Sequence, residues 1–293
     1  MLVLLAVIAI IATYFIMTKM HRSSLRGKRV LVVGGTSGIG REFARQLYQQ
    51  GCAVTLTSRD ADTARSVASQ IEDNNVQTKI ECIAMDILED GPQTETQYDY
   101  IFCVPGFSVS RYFKDQNIKD FRAQMDLNYL AVVNTLYGFR ECNKRPFTFV
   151  VIGSTAALFY FPGYSSYSPT KSALLAFAKS VHPELRREGI DLRVYLCPAM
   201  QTRGLEEENR LKPEFTKEIE FSNSVLSPED AARHYLANMH GRRIMAMDWF
   251  TYFVMVREDC ENAIDYLLFP VAVIVVFVSK LYVRWKFDRA KFD

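Results

Sequence analysis

Short apolar runs alternate with amphipathic stretches along most of the chain, beginning near Lys28. Each run is apolar through its middle, which is typical of strands buried on both faces of a parallel sheet. Strands that alternate with helices predict an α/β fold, in which a doubly wound parallel sheet is covered by helices on both sides. The predicted strands are Val30–Val33, Val54–Thr57, Lys79–Met85, Tyr100–Val104, Thr148–Ile152 and Leu192–Leu196, and the predicted helices are Arg41–Leu47, Asp62–Ile71, Phe121–Phe139 and Ser168–Arg187.

The N-terminal stretch Leu2–Met17 is too uniformly apolar for this pattern, since only Thr13 interrupts it. Basic residues follow it and none precedes it, which is the reverse of a cleaved secretory signal. The bias predicts an uncleaved membrane anchor over residues 1–18, with the main domain on the cytoplasmic side. Residues 19–27 are then a linker. A buried N-terminal helix is the alternative.

The C-terminal region, residues 244–293, is also predicted to associate with the membrane. Its apolar run Tyr266–Val278 is short, contains Pro270 and is followed by several cations. A single crossing would place those cations on the lumenal side, against the usual tendency. An in-plane or re-entrant helix, a hairpin that uses Ile244–Val256, and a helix buried in the core are the alternatives left open.

Composition sets broad limits on function. The chain has 293 residues, 49% of them hydrophobic, and a net charge of +2, so nothing indicates nucleic-acid binding by bulk charge. The six cysteines show no paired spacing, which argues against a disulfide framework and against a metal site. We therefore expect one catalytic domain over residues 28–243.

A glycine-rich turn, Gly34-Gly35-Thr36-Ser37-Gly38-Ile39-Gly40, separates the first predicted strand from the first predicted helix. A helix N-terminus offers free N–H groups and a partial positive charge, which suit a pyrophosphate. Glycines let the backbone turn, approach the phosphates and pack the helix on the sheet. This context predicts a Rossmann-type dinucleotide site, although a tight turn without a ligand is the alternative. The predicted cofactor contacts here are Gly34, Ser37, Gly38, Ile39 and Gly40.

Two charged residues follow the next two strands. Arg59 stands where an acidic residue would bind a ribose 2′-hydroxyl, and a guanidinium there favours the 2′-phosphate of NADPH instead. Asp86 could accept a hydrogen bond from the adenine amino group. An ordinary surface arginine and a helix-capping aspartate are the alternatives.

Tyr167 and Lys171 are four residues apart and therefore face the same way on a predicted helix. An adjacent ammonium favours the phenolate, so we expect Lys171 to lower the pKa of Tyr167 toward a range useful for proton transfer. Ser154 ends a predicted strand at the edge where ligands bind, and could hydrogen-bond a substrate carbonyl. Asn128 lies inside a predicted helix, where it has either a functional role or that of a satisfied buried amide.

The segment Arg203–Ser227 breaks the alternation of strands and helices. It is predicted to be either a solvated surface helix or a mobile lid over the substrate whose apolar face meets the bilayer.

Taken together, these motifs resemble the short-chain dehydrogenase/reductase family over about Lys28–Pro198. The resemblance implies a catalytic tetrad, with Tyr167 as the general acid, Lys171 lowering its pKa and binding the nicotinamide ribose, Ser154 polarising the carbonyl and Asn128 holding a water. It also implies that Pro198 and Thr202 lie at the nicotinamide. Two positions depart from the family pattern, Val33 and the segment Cys103-Val104-Pro105-Gly106, and they put the local cofactor geometry in question.

Within the family, the stretches Ile152–Leu158, Phe161–Tyr167 and Ile244–Asp248 are similar to members that reduce a long-chain keto-sphingoid lipid. This similarity implies NADPH as cofactor and the endoplasmic reticulum membrane as location, with the catalytic domain facing the cytosol. The alternatives are an anchored reductase of steroid, retinoid or fatty-acyl carbonyls and a catalytically silent binding protein of the same fold. A homo-oligomer remains open.

Overall fold

The computed structural model describes residues 24–73, 78–89, 91–92, 94–220 and 225–290. The predicted membrane anchor, residues 1–18, lies outside the described residues, as do the first five residues of the predicted linker, residues 19–23. Residues 221–224 of the predicted lid, which runs from 203 to 227, are also outside them.

Seven parallel strands form one sheet in the order β3-β2-β1-β4-β5-β6-β7. This confirms the doubly wound parallel sheet. Six strands match predicted ones, and the third is shorter than predicted. The strands are β1 (Arg29–Val33), β2 (Ala53–Ser58), β3 (Glu81–Ala84), β4 (Tyr100–Cys103), β5 (Phe147–Ser154), β6 (Ile190–Cys197) and β7 (Ile244–Ala246).

Helices cover both faces of the sheet, because successive strand residues point to opposite faces and each face is apolar. The helices are α1 (Gly38–Gln49), α2 (Ala61–Ile71), α3 (Ile118–Met125), α4 (Ala131–Cys142), α5 (Ser168–Arg187), α6 (Arg203–Asn209), α7 (Glu214–Glu220), α8 (Pro228–Asn238), α9 (Trp249–Glu258) and α10 (Ala263–Phe287). One apolar core lies between the sheet and α1, α2 and α8. The other lies between the sheet and α4 and α5, and residues of α9 and α10 extend it.

The predicted helix Phe121–Phe139 is not one regular helix. Between α3 and α4 the backbone widens into a π-helical turn, Asp126–Leu130, which places Asn128 at its centre. Such turns are rare and occur often at functional sites.

The segment Ile244–Val256 is not a membrane hairpin. Its first residues form the edge strand β7, which pairs with β6, so the sheet extends beyond the boundary that we placed at residue 243. The rest forms α9, whose side chains at Val254 and Val256 are fully buried. The segment is apolar because it belongs to the core.

Candidate active site

The carboxyl ends of the strands meet along one edge of the sheet, and the strand order reverses between β1 and β4. Ligands of doubly wound sheets bind at such a point. The register aligns Val33 with Cys103, and Ser154 with Cys197. The edge therefore brings together the glycine turn after β1, the loop after β4, Ser154 and the segment after β6.

The glycine turn has the geometry of a phosphate cradle. Gly34 and Gly38 have φ angles of 77° and 52°, a region that disfavours residues with a Cβ. A Cβ on Gly40 would collide with the carbonyl oxygen of Gly34, so α1 can begin this close to the turn only with glycine there. Ser37 precedes α1 without capping it through its side chain, which leaves the first N–H groups of the helix available to a ligand.

The two departures from the family pattern fit into this cradle. The Val104 N–H donates to the Val33 carbonyl oxygen at 3.0 Å, an ordinary backbone hydrogen-bond distance. Pro105 packs against Gly34, with its nitrogen 3.3 Å from the position of a Gly34 Cβ. Val104 therefore continues the backbone pairing of β1 and β4, and Pro105 packs beside the turn.

Tyr167 and Lys171 lie at the start of α5 and face the crevice. Tyr167 is the residue immediately before the helix, and its backbone carbonyl accepts from the Lys171 N–H at 3.3 Å. The Lys171 ammonium is buried, donates to the Ile152 carbonyl oxygen at 2.9 Å and lies 5.9 Å from the centre of the Tyr167 ring. Strand β5 thus fixes the ammonium beside the phenol.

The pKa of Tyr167 is raised, which is the opposite of what we expected from the neighbouring lysine. Burial is the main cause and the Glu208 carboxylate adds to it, whereas a hydrogen bond with Ser154 acts in the other direction. Burial also lowers the pKa of Lys171 to about 8, so this amine is a weaker source of positive charge than an exposed one. The phenol is therefore protonated at neutral pH, as a general acid must be.

Ser154 and Asn128 lie near this pair and make different contacts. Ser154 ends β5, and its hydroxyl oxygen accepts from the Ala156 N–H at 3.1 Å. The Asn128 amide is fully buried and donates to the Phe107 carbonyl oxygen at 2.9 Å and to the Thr170 hydroxyl at 3.1 Å. Its own oxygen accepts from the Phe107 N–H at 2.9 Å. Asn128 therefore fastens the loop after β4 to the helix that carries Lys171.

A cavity of about 1030 Å³ joins the glycine turn to the catalytic candidates. Thr202 also faces the turn, since its methyl carbon is 3.2 Å from the position of a Gly38 Cβ, and its hydroxyl caps α6 by accepting from the Leu205 N–H at 3.1 Å. Of the predicted site residues, the cavity is lined by Gly34, Ser37, Gly38, Ile39, Ser154, Tyr167, Lys171, Pro198 and Thr202.

Four predicted residues lie outside the cavity wall. Gly40 sits beneath the turn and Asn128 behind Lys171. Arg59 is exposed just after β2, and Asp86 follows β3, which pairs with β2, so both are at the expected edge of the sheet. The Asp86 carboxylate accepts from the Leu88 N–H at 2.9 Å, so it caps a turn and not the helix that the alternative interpretation predicted.

The far wall of the cavity contains residues to which we assigned no role from the sequence. Helix α6 contributes Glu208 and α7 contributes Glu220, and their carboxylates flank Lys212 and the hydroxyl of Tyr164. We had interpreted the Glu206–Glu208 run only as part of a surface helix or a lid. The spacing of Glu208 and Lys212, one helical turn apart, was the signal that could have indicated their pairing.

Helix α10 forms the mouth of the cavity through Val278, Ser279, Tyr282 and Val283. It is the one helix in the described part of the chain that is long and apolar enough to cross a membrane. Its inner stripe, Leu268, Ala272, Val276 and Val283, packs on the domain, and most of its other large apolar side chains are exposed.

The chain belongs to the short-chain dehydrogenase family, whose family model matches residues 28–212. It is therefore an oxidoreductase of the class that interconverts CH–OH and C=O groups. Among curated proteins, it is 31% identical to the 3-ketodihydrosphingosine reductase TSC10 of Debaryomyces hansenii, with 70% of each chain covered. It is 30% identical to the 3-dehydrosphinganine reductase of Danio rerio, with 71% of this chain and 67% of the relative covered.

Solved structures share the fold. A short-chain dehydrogenase/reductase of Burkholderia phymatum in complex with NAD superposes with a TM-score of 0.67 at 16% identity, covering 81% of this chain and 95% of that one. One of Burkholderia cenocepacia in complex with NADP superposes with a TM-score of 0.62 at 20% identity, covering 77% and 98%. The cradle described above fits a nicotinamide dinucleotide, because it combines free helix N–H groups with glycines at the points of closest approach.

Proposed function

We propose that this protein uses NADPH to reduce the 3-keto group of 3-ketodihydrosphingosine, which gives dihydrosphingosine in sphingolipid biosynthesis. The observation that carries the proposal is the single cavity that runs from the glycine turn, past Tyr167, to the exposed apolar side chains of α10. A cavity that reaches exposed apolar side chains suits a lipid, because the alkyl chain can extend from the pocket along that apolar surface. The names of the relatives agree with this substrate.

The side chains of the site suit ketone reduction. A bound NADPH would supply the hydride. The protonated phenol of Tyr167 would donate its proton to the keto oxygen as negative charge develops there, and the Ser154 hydroxyl would donate a hydrogen bond to the same oxygen. Lys171 would hold the nicotinamide ribose, and Asn128 would keep the loop after β4 and the start of α5 in fixed positions.

Arg59 supports NADPH rather than NADH, because its exposed guanidinium at the end of β2 can pair with a 2′-phosphate. Replacing it in Arg59→Glu should raise the Kd for NADPH by roughly 100-fold and leave the Kd for NADH within a few-fold, since a charge-assisted pair is replaced by repulsion. Titration of both cofactors by fluorescence measures this. Equal losses of affinity for the two cofactors would show that Arg59 does not bind the 2′-phosphate of NADPH.

The placement of α10 supports contact with the membrane surface over a complete crossing. Near its start, Asp265 accepts from Arg242 at 2.6 Å, and near its end Lys286 pairs with Glu218 at 2.8 Å. Both ends therefore touch the catalytic domain, so the helix lies across the domain with its apolar side outward. We infer an in-plane helix at the cytosolic face of the endoplasmic reticulum membrane, with Trp285 as an interfacial anchor.

A substrate panel assayed in detergent with NADPH tests the proposal. The full-length protein should oxidise NADPH with 3-ketodihydrosphingosine and form dihydrosphingosine, identified by mass spectrometry. Activity restricted to steroid, retinoid or fatty-acyl carbonyls would show that the proposed substrate is wrong, although the protein would still be a carbonyl reductase. Lack of turnover with every carbonyl, in protein that binds NADPH, would contradict the proposed catalysis.

A further inference from the structure

Four polar side chains form a cluster at the cavity wall, and ketone reduction itself does not require them. Two of the four are buried and the other two are partly buried, and three of the four line the cavity. The Tyr164 hydroxyl donates to Glu208 at 2.6 Å and also contacts Glu220. The Lys212 ammonium, whose side chain is completely buried, bridges the same two carboxylates and lies 2.8 Å from Glu208. We call this set the acidic cluster: Tyr164, Glu208, Lys212 and Glu220.

The acidic cluster has more negative than positive charge. It contains two carboxylates and one ammonium, and both contacts of Glu208 fall on the same oxygen, Oε1. Within the described ranges, its other oxygen has no hydrogen-bond partner, and Glu208 lines the cavity. Burial raises the pKa of Glu208, the nearby Lys212 ammonium opposes this shift, and the Glu220 carboxylate adds to it.

The other charged groups of the cavity already have local roles. Arg203 pairs with Glu207 at 3.0 Å. Asp248 caps α9, accepting from the Thr251 N–H at 2.9 Å. Lys171 donates to the backbone of β5. Glu208 and Glu220 share the single ammonium of Lys212, so together they leave one negative charge without a cationic partner.

The acidic cluster lies next to the reacting position. The rings of Tyr164 and Tyr167 are 5.6 Å apart between centres. The Glu208 carboxylate is near enough to Tyr167 to raise the pKa of its phenol. A cation held by the cluster would therefore sit close to a carbonyl that accepts a proton from Tyr167.

We infer that Glu208 and Glu220 bind the ammonium group of a long-chain amino ketone and so select substrates that carry an amine beside the keto group. This inference rests on the proposed function and deepens it, because a 3-keto sphingoid base carries its amine on the carbon next to the carbonyl. The ammonium would occupy the free lone pairs of the carboxylates in a water-poor site, where charge-assisted hydrogen bonds are strong. Tyr164 and Lys212 hold the two carboxylates in place.

The test compares two substrates with NADPH in detergent, using the full chain. One is 3-ketodihydrosphingosine and the other is the same long-chain ketone without its amine. The variants Glu208→Gln and Glu220→Gln keep the side-chain size, and each leaves Lys212 one carboxylate partner. The matched control is Glu206→Gln, which lies on the same helix, is exposed and does not line the cavity.

For each cluster variant, kcat/KM for the amino ketone should fall by about tenfold or more, through KM, while kcat/KM for the ketone without the amine stays within about twofold. Glu206→Gln should change neither. Equal losses on both substrates, or no loss on either in both variants, would overturn the inference, because a structural role does not distinguish the substrates.

Failure of the proposed function has a different signature. Wild-type protein that reduces neither ketone overturns the proposed function, and the inference with it. Wild-type protein that reduces both ketones equally well keeps the reductase activity and overturns the inference alone. Cofactor binding and thermal melting of each variant show that it is folded, so a loss confined to the amino ketone reports recognition of the amine.

Discussion

The two halves of the active-site cavity are built in different ways. The cofactor half consists of the glycine turn and the ends of β1 and β2, and its critical contact joins Gly34 and Gly40, which are close in sequence. The substrate half consists of the acidic cluster and the mouth formed by α10. Tyr164 contacts Glu208 and Glu220, which follow it by 44 and 56 positions in the sequence. Val278 lines the same cavity at its mouth. The cofactor half can therefore be recognised from one short segment, whereas the substrate half exists only after folding.

Tyr167 lies where the two halves meet, so its replacement should stop the chemistry and leave both halves able to bind. In Tyr167→Phe, we expect kcat to fall by about a thousand-fold, because the general acid is lost. The Kd for NADPH should stay within a few-fold of wild type. Stopped-flow kinetics and cofactor titration measure the two quantities, and near-normal kcat would remove Tyr167 from the mechanism.

A branched side chain at Gly40 should break the cofactor half alone. In Gly40→Val, the new side chain would collide with the Gly34 carbonyl oxygen, so α1 must move away from the turn. We expect NADPH affinity to fall by about 100-fold or more, since the phosphate cradle depends on that contact. Isothermal titration measures it.

The control for this change is Gly91→Ala. Within the described part of the chain, no atom lies within 4 Å of the position of a Gly91 Cβ. This variant should bind NADPH as wild type does. Normal affinity in Gly40→Val would show that the turn is not the phosphate site.

A charge at the mouth should disturb the substrate half alone. Val278 is exposed, and it lines the cavity where α10 forms the mouth. In Val278→Asp, KM for a long-chain ketone should rise by about fivefold, because a charge meets the alkyl chain, while KM for a short-chain ketone and NADPH affinity stay unchanged.

Ile274 provides the matched control, because it is exposed one turn earlier on α10 and does not line the cavity. If Ile274→Asp raised KM in detergent as much as Val278→Asp, the effect would belong to the helix surface rather than to the cavity mouth.

Replacing Lys171 should increase stability and abolish activity. Its pKa is about 8 in the folded protein and 10.5 ordinarily, so the unfolded chain binds more protons between these pH values. The free energy of unfolding of the wild-type protein should therefore rise between about pH 8 and pH 10.5. Below about pH 8, the buried ammonium destabilises the folded protein most. In Lys171→Met, we expect a gain on the order of 2 kcal/mol at pH 7 and almost none by about pH 10.5, together with loss of activity. Denaturant unfolding at both pH values tests this, and a gain that grew with pH would contradict it.

Sequence patterns were sufficient for the elements that have a local cause. The run Val30–Val33 followed by glycines predicted β1, the turn and α1, and the spacing of Tyr167 and Lys171 predicted that they face the same way. The parallel sheet followed from the alternation of strands and helices. These features depend on residues a few positions apart, where the backbone itself imposes the geometry.

The rest depended on contacts that no local pattern contains. The π-helical turn at Asn128 and the three-residue strand β7 owe their conformations to packing against α5 and β6, and intrinsic propensity does not distinguish them from a regular helix or an apolar surface run. The direction of the Tyr167 pKa shift depended on burial, with the Glu208 carboxylate as the second cause, and neither can be read from the spacing of Tyr167 and Lys171. The acidic cluster required the fold of α6 and α7 over the cavity.

The central claim is that one cavity holds the nicotinamide of NADPH and the keto carbon of a long-chain lipid beside Tyr167. The most direct test is the fate of a deuterium label placed on the transferable position of NADPH, with 3-ketodihydrosphingosine as substrate. We predict dihydrosphingosine that carries one deuterium on the new carbinol carbon, formed by wild-type protein and not by Tyr167→Phe. Unlabelled product, or product formed equally by both proteins, would contradict the account.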